Sequence, residues 1–242
     1  MAAIRIVQVN IEGSKHLELV IPFLKAQNPE VVCIQELKDA DVSRFEQELG
    51  MRSATVAMHR GTDGVNMVGI FTRLPVRAWH ASQYGGHQDE EIREYVHGDP
   101  TKKAAHESSK FSLLTADLEK EGETFRIITT HFPVTPHGEA TDFQREDMAK
   151  LLGILAGEGE FVLTGDFNAP RGGEIFSMLA AKYKDNIPTS ITTSIDGSIH
   201  RAGQLPYMVD GIFSTPANHV SNVAGHTGVS DHWAFTADIS KA

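Results

Sequence analysis

Short apolar, β-rich runs in this chain of 242 residues each stop at, or start from, a polar residue able to do chemistry. The run 4–9 ends at Asn10, 31–34 ends in Gln35-Glu36, and 125–130 ends at His131. The run 161–163 leads into Thr164-Gly165-Asp166-Phe167-Asn168-Ala169-Pro170. The run 209–213 carries Asp210, and Asp231-His232 opens the run 233–239. Runs of this length and composition read as buried strands. Alternate side chains of an extended segment share a face. Asp166 and Asn168 are therefore expected to point one way and Phe167 the other. By itself that stretch is equally turn chemistry. If the last strand is antiparallel to its neighbours, its start lies at the same sheet edge as their ends. The polar set then converges on one edge, where open α/β sheets hold ligands.

Between these runs the apolar period changes to that of helices. Helices are expected over 15–27, with Ser14 as cap and Leu17, Val20, Ile21 and Leu24 as the stripe, and over 40–49 and 141–155. A short one is expected over 174–184, with Ile175, Met178, Leu179 and Tyr183 buried. Residues 52–58 and 65–71 read as paired strands, as do 111–118 and 125–130 around Glu121-Gly122. Single strands are expected from 76 towards Trp79 and over 220–224. From 83 to 109 the pattern fails: Gly85-Gly86, mixed charges, Tyr84, His87, Tyr95, His97 and Pro100 follow one another. A long irregular segment of this kind usually carries function, and it is read as a substrate-facing loop. Strands alternating with helices, then strand pairs, give a mixed, layered α/β fold. No linker or composition break divides the chain, so 1–242 is expected to be one domain.

Composition restricts the function classes. The net charge of −10 provides no basic field to hold nucleic acid tightly. The single cysteine, Cys33, sits inside an apolar run and reads as a packed thiol. No secretory leader and no membrane-length apolar stretch is apparent, so a cytoplasmic protein is expected, by default a monomer.

The donor chemistry is that of a hard cation. Asn10, Glu36, Asp166, Asn168 and Asp231 offer oxygen ligands suited to Mg²⁺ or Mn²⁺. Zinc spacing is missing, as are a Gly-x-x-x-x-Gly-Lys loop and a Gly-x-Ser-x-Gly elbow. His131 and His232 beside carboxylates suit proton transfer and charge neutralisation at phosphate.

Asn10-Ile11-Glu12, Gln35-Glu36, Thr130-His131-Phe132, Gly165-Asp166-Phe167-Asn168, Val209-Asp210-Gly211-Ile212-Phe213 and Ser230-Asp231-His232 stand in a fixed order from residue 10 to 232. In that order they resemble the endonuclease/exonuclease/phosphatase, or deoxyribonuclease I-like, superfamily. The resemblance implies a four-layer α/β sandwich, two packed mixed β-sheets flanked by helices. It also implies metal-dependent phosphoester hydrolysis by in-line attack of water. Glu36 then looks like the main metal ligand, with Asn10 and Asp231 close by. Asp166 and Asn168 look like the pair that addresses water and phosphate, His232 like the histidine held by Asp210, and His131 like the second histidine of the deoxyribonuclease and sphingomyelinase branches. One departure stands out. The glutamate that partners that second histidine in deoxyribonuclease I-like enzymes is missing from 64–69, where Asn66 is the available substitute.

The expected activity is a nuclease or DNA-end phosphodiesterase, and the Asn10–Gly13 and Ser230–Trp233 stretches are similar to the tyrosyl-DNA phosphodiesterase branch. Arg60, Arg93, Lys102, Lys103, Arg171 and Arg201 are the candidate phosphate contacts, and Trp79, Tyr84 and Tyr95 the candidate stacking rings. Hydrolysis of small-molecule or lipid phosphoesters is the alternative, which the acidic charge favours. A non-catalytic binding module retaining the fold is the third reading.

Overall fold

A computed structural model describes residues 2–99 and 101–242, so Met1 and the Pro100 of the irregular segment lie outside it. In chain order the strands are β1 (Ala3–Asn10), β2 (Val31–Lys38), β3 (Arg52–Gly61), β4 (Gly64–Thr72), β5 (Val76–Gly86), β6 (Lys110–Lys120), β7 (Glu123–His131), β8 (Val162–Asp166), β9 (Lys184–Asp185), β10 (Asp210–Ser214), β11 (Asn218–His226) and β12 (Ala234–Lys241). The helices are α1 (Leu17–Gln27), α2 (Val42–Leu49), α3 (Lys103–His106), α4 (Asp142–Leu155) and α5 (Glu174–Ala180). Two six-stranded sheets result, ordered β11-β12-β1-β2-β4-β3 and β5-β6-β7-β8-β10-β9. The β1/β2 and β7/β8 pairs are parallel and the others antiparallel, so both sheets are mixed.

The period-two alternation of the strands builds the layers. On β1, Ile4 and Ile6 join the core between the sheets, while Val7 and Val9 face α1 and α2. On β8, Val162 faces the other sheet, while Leu163 packs towards Met148 and Leu151 of α4 and Ile175 and Phe176 of α5. Helices on both outer faces and an apolar seam between the sheets make the expected four-layer sandwich. Each buried aliphatic or Phe side chain contributes roughly 1.5–3 kcal/mol to holding it closed. No helix among the described residues is long and apolar enough to cross a membrane.

The seam changes character towards one end. Same-face residues step from apolar to polar along four strands: Ile4, Ile6, Gln8, Asn10 on β1; Val31, Cys33, Gln35 on β2; Ile127, Thr129, His131 on β7; Val162, Thr164, Asp166 on β8. Burial pushes the Cys33 thiol up to about 12, so it is an inert part of this seam. The polar ends adjoin one another across two facing sheets. The single sheet edge that the strand ends suggested is therefore corrected to a cleft shared by both sheets.

Several boundaries move for local reasons. Helix α1 begins at Leu17, because the Ser14 hydroxyl donates to Asp41 instead of capping. Helix α2 begins at Val42, after a 3₁₀ turn over Asp39–Asp41. Helix α5 stops at Ala180, with Phe176 taking the buried place expected of Met178 and Tyr183, which are half-buried. Strand β5 continues to Gly86, so the irregular segment starts later than the sequence suggests. Its register slips between Gln83 and Gly85, a bulge that turns Tyr84 into the core, where its hydroxyl lies 2.8 Å from Thr130 Oγ1. Tyr84 is thus no stacking platform, and Trp79 packs against the inter-sheet core.

Gly165 marks the tightest approach near the site. Its φ is +154°, and a Cβ there would stand 2.3 Å from Thr130 O on the neighbouring strand. Gly165→Ala is expected to cost roughly 1–3 kcal/mol by overpacking. A denaturant midpoint unchanged from the parent chain would contradict this.

Candidate active site

Asp166 ends β8 and Asn168 follows in a left-handed conformation, φ +49°, which Asn tolerates better than other side chains. Phe167 between them is fully buried against Phe176 and Phe213, which fixes the turn. The expected division of faces is therefore present, with Asp166 Oδ1 accepting from Asn168 N at 2.8 Å. Asn168 Nδ2 lies 3.0 Å from His131 Nε2 and donates to Phe132 O at 2.9 Å.

Asp166 lies between two imidazoles, with Oδ2 3.5 Å from His131 Nε2 and 3.8 Å from His232 Nε2. His232 Nδ1 is 2.8 Å from Asp210 Oδ2, the pairing the sequence suggested. Burial by itself would depress the His232 imidazole, but the charges of Asp210 and Asp166 and the bond to Asp210 outweigh it and hold it up at about 10. The folded chain thus keeps a proton that the unfolded chain releases above about 6.5. That contribution to stability is complete below pH 6.5 and is lost as pH rises towards 10. The metal-free melting temperature is expected to fall over that window more steeply for the parent chain than for His232→Gln. Parallel slopes would refute the coupling.

Asp210 is oriented by residues that sequence reasoning missed. Gln8 Nε2 donates to Asp210 Oδ1 at 2.8 Å and to Gln35 Oε1 at 2.9 Å, and Gln35 Nε2 donates to Thr129 Oγ1 at 2.9 Å. Asp210 N donates to Ser194 Oγ at 3.2 Å. A fully buried carboxylate is costly unless its oxygens are satisfied, and Gln8, braced by Gln35, reaches it from the opposite sheet. The available signal was a glutamine interrupting each of two apolar runs.

Glu36 reaches the cleft because β2 does not end there. The β2–β4 register shifts between Ile34 and Leu37, and Glu36 takes φ +57°. The bulge aims Gln35 into the seam and Glu36 into the cleft, although consecutive strand residues would otherwise diverge. Asn10 Nδ2 donates to Glu36 Oε1 at 3.1 Å and to Asp166 Oδ2 at 3.0 Å, and Asn10 Oδ1 accepts from Glu12 N at 3.1 Å. Asn10 is thus a bridge between two carboxylates.

A second acidic group adjoins Glu36. Glu12, His16 and Asp231 each offer a ligand atom within 4.8 Å of the others, and Glu12 also binds Lys15. Burial pushes the Asp231 carboxyl up; the charge of His232 opposes this, and Glu12 and Glu36 reinforce it. Sequence reasoning misses Glu12 and His16 as donors, although Glu12 belongs to the Asn10-Ile11-Glu12 motif. Oxygen donors that repel one another in this way fit a hard divalent cation. Asp166, Asp210 and His232 also cluster within 4.8 Å. There, however, Asp210 already accepts from a histidine held protonated, so Asp166 is the available oxygen donor.

The departure at His131 is real. Asn66 does not replace the missing glutamate: its Nδ2 donates to His59 Nε2 at 2.7 Å, and His131 Nδ1 is buried without a partner among the described residues. Burial, then the neighbouring His131, pushes the His59 imidazole down to about 4, so it is neutral.

Two recesses open from this set. The larger, about 380 Å³, is lined by Glu36, His131 and Asn168 and by His59, Tyr95 and Arg201. The smaller, about 190 Å³, is lined by His232 and Asn168 and by His137, His200 and Tyr207. Most of the candidate phosphate contacts are committed elsewhere. Arg60 pairs with Glu94, Arg93 with Asp89, Lys102 with Asp99, Lys103 with Glu107 and Arg171 with Asp185. Arg201 faces the larger recess.

Solved structures share this architecture. A Bacteroides vulgatus endonuclease/exonuclease/phosphatase superposes with TM-score 0.75 at 18% identity, covering 100% of both chains. The human Nocturnin catalytic domain with bound sulfate superposes at 0.74 and 15% identity, covering 99% of this chain and 95% of that one. The Bacteroides thetaiotaomicron mannosyl-6-phosphatase Bt3783 superposes at 0.74 and 11% identity, covering 98% and 99%. At these identities the likeness is one of fold. A sequence comparison with curated proteins finds no significant match. The sequence model of the Endonuclease/Exonuclease/phosphatase family matches residues 7–232. That span runs from the middle of β1 to the histidine before β12 and takes in every residue of the cleft described above, so the chain belongs to the endonuclease/exonuclease/phosphatase family and is a phosphoric ester hydrolase.

Proposed function

We propose that the protein is a divalent-metal-dependent phosphodiesterase acting on nucleic acid, as a nuclease or a DNA-end phosphodiesterase. The observation that carries this reading is the pair of recesses that meet at Asn168, one flanked by His131 and the other by His232. A phosphate diester has two ester arms, and a recess on each side of the reacting centre accommodates both. A monoester needs only one.

In this reading Asp166 orients the attacking water and takes its proton, with Asn168 beside it. Such positioned proton transfer is worth about 10²–10⁴ in rate. His232, protonated and held by Asp210, and His131 donate to the phosphoryl oxygens as charge builds on them. Glu36 and Asp231, with Asn10 and Glu12 at their side, would hold Mg²⁺ or Mn²⁺. When bound, the cation supplies Lewis-acid neutralisation of phosphoryl charge.

The test is turnover of single- and double-stranded oligonucleotides, bis-p-nitrophenyl phosphate and a sugar phosphate, each with Mg²⁺ and over a salt series. Oligonucleotide cleavage that is abolished by EDTA and weakens steeply with salt is expected. Turnover of the sugar phosphate alone, indifferent to salt, would overturn it. A second reading, hydrolysis of small phosphoesters, is favoured by the net charge of −10 and the paired loop cations. The likeness to a mannosyl-6-phosphatase is compatible with it.

A further inference from the structure

The larger recess has a wall that the phosphoryl chemistry does not use. Tyr95 packs against His59, ring centroids 4.6 Å apart and tilted by 33°, and meets His97 edge-on at 4.9 Å and 87°. Both His59 nitrogens are engaged, one by Ser109 Oγ at 2.9 Å and the other by Asn66 at 2.7 Å, so the ring is fixed. Tyr95 is pinned as well. Tyr95 N donates to Arg60 O, and Arg60 N donates to Arg93 O, both at 2.8 Å. These bonds form a bridge between Arg60 and Glu94 that lays the segment against the end of β3. At its far side the segment is clamped at Gly86, where a Cβ would stand 1.9 Å from Ser109 O.

The rest of the lining is mixed. Buried Met58, Phe111 and Phe132 give it an apolar part, Lys38 is paired with Asp63, and Arg201 contributes a second cation. About 380 Å³ lies within the range of a pocket for one small ligand. A fixed aromatic ring beside apolar side chains, with polar groups around them, suits a planar heterocycle, since every nucleobase has a π face and stacking tolerates any of them. A base still paired in a duplex is stacked on both sides and must leave the helix to enter such a recess.

Resting on the nuclease reading above, we propose that this recess is a subsite for one unpaired nucleobase. The base is carried by a nucleoside adjoining the scissile phosphate and is seated against Tyr95. The enzyme then prefers single strands or frayed ends to paired duplex.

The test uses the full chain with Mg²⁺ and short single-stranded oligonucleotides. Each carries either a base or an abasic tetrahydrofuran residue, placed in turn on the 5′ and the 3′ side of the cleaved phosphate. Tyr95→Ala is expected to lower kcat/KM on the base-bearing strand on the order of tenfold, through KM, and by much less on the strand abasic at the subsite position. Tyr95→Phe, which keeps the ring, restores the base-bearing value. Equal losses on base-bearing and abasic strands at both placements would make Tyr95 a scaffold residue and overturn the subsite, with oligonucleotide cleavage itself intact. Paired duplex cleaved as fast as single strand would also overturn it. Hydrolysis of bis-p-nitrophenyl phosphate with no cleavage of any oligonucleotide would remove the nuclease reading and the subsite together. A measurement on the parent chain needs no variant: a nucleoside monophosphate should inhibit on the order of tenfold more strongly than ribose 5-phosphate. Equal inhibition would overturn the subsite.

Discussion

Glu36→Gly is expected to abolish metal-supported turnover while leaving the metal-free fold at least as stable as the parent. A non-glycine residue at φ +57° in the middle of a strand carries backbone strain, on the order of 1–2 kcal/mol. Glycine removes that strain and one of the carboxylates crowded around Asp231, at the loss of the hydrogen bond from Asn10. The net change expected without metal is between zero and a gain of about 1 kcal/mol, since a single hydrogen bond returns only ~1 kcal/mol. Mg²⁺ should reverse the ranking. A cation at a hundredfold its dissociation constant stabilises the parent chain by about 2.7 kcal/mol, and the variant should gain little. Melting curves with and without Mg²⁺ check both halves. A variant clearly less stable than the parent in EDTA would show that Glu36 is held there for the fold. A variant that turns over normally would remove it from the active centre.

Asp166→Asn keeps the shape and removes the charge, and turnover is expected to fall by about 10²–10⁴. The same change should be felt in stability. Asp166 accepts from Asn10 Nδ2 through one oxygen and from Asn168 N through the other. An amide there turns its own N–H bonds towards one of these donors, leaving a buried group unsatisfied at roughly 1–3 kcal/mol. His232 also loses one of the three carboxylates, Asp210, Asp166 and Asp231, that hold it protonated, so its pKa should drop from about 10. Imidazole NMR titration of His232 in the variant reads that shift directly. Full turnover, or an unmoved His232 titration, would contradict the role given to Asp166.

Much of this site was legible because strands have a period of two. Asn10, His131 and Asp166 each fall on the inter-sheet face of an apolar strand, and the step from apolar to polar is visible in the residue order alone. Asp231-His232 could be assigned because an antiparallel last strand starts where its neighbours end, and β12 does run antiparallel to β1. Other features were not legible. Gly85-Gly86 reads as a break but continues β5 past the bulge at Tyr84, and Gly85 is required because a Cβ there would meet the Asp147 carboxylate at 2.3 Å. Asn66 is the available substitute within 64–69 for the expected glutamate, yet its amide turns to His59. Nothing in the local sequence separates those two outcomes.

The residue order by itself determined most of the strands, their buried faces and the polar residues at their ends, since these follow from short-range sterics and the alternation of side chains; the two-residue β9 and the far half of β5 were not among them. Only the tertiary structure decided that the ends belong to two sheets, that a bulge swings Glu36 into the cleft, that Gln8 reaches Asp210 across 202 positions of chain, and that Tyr95 closes a recess beside the reacting centre. These are contacts between groups far apart in sequence. Their geometry is set by how two twisted sheets pack on one another, which no local propensity encodes.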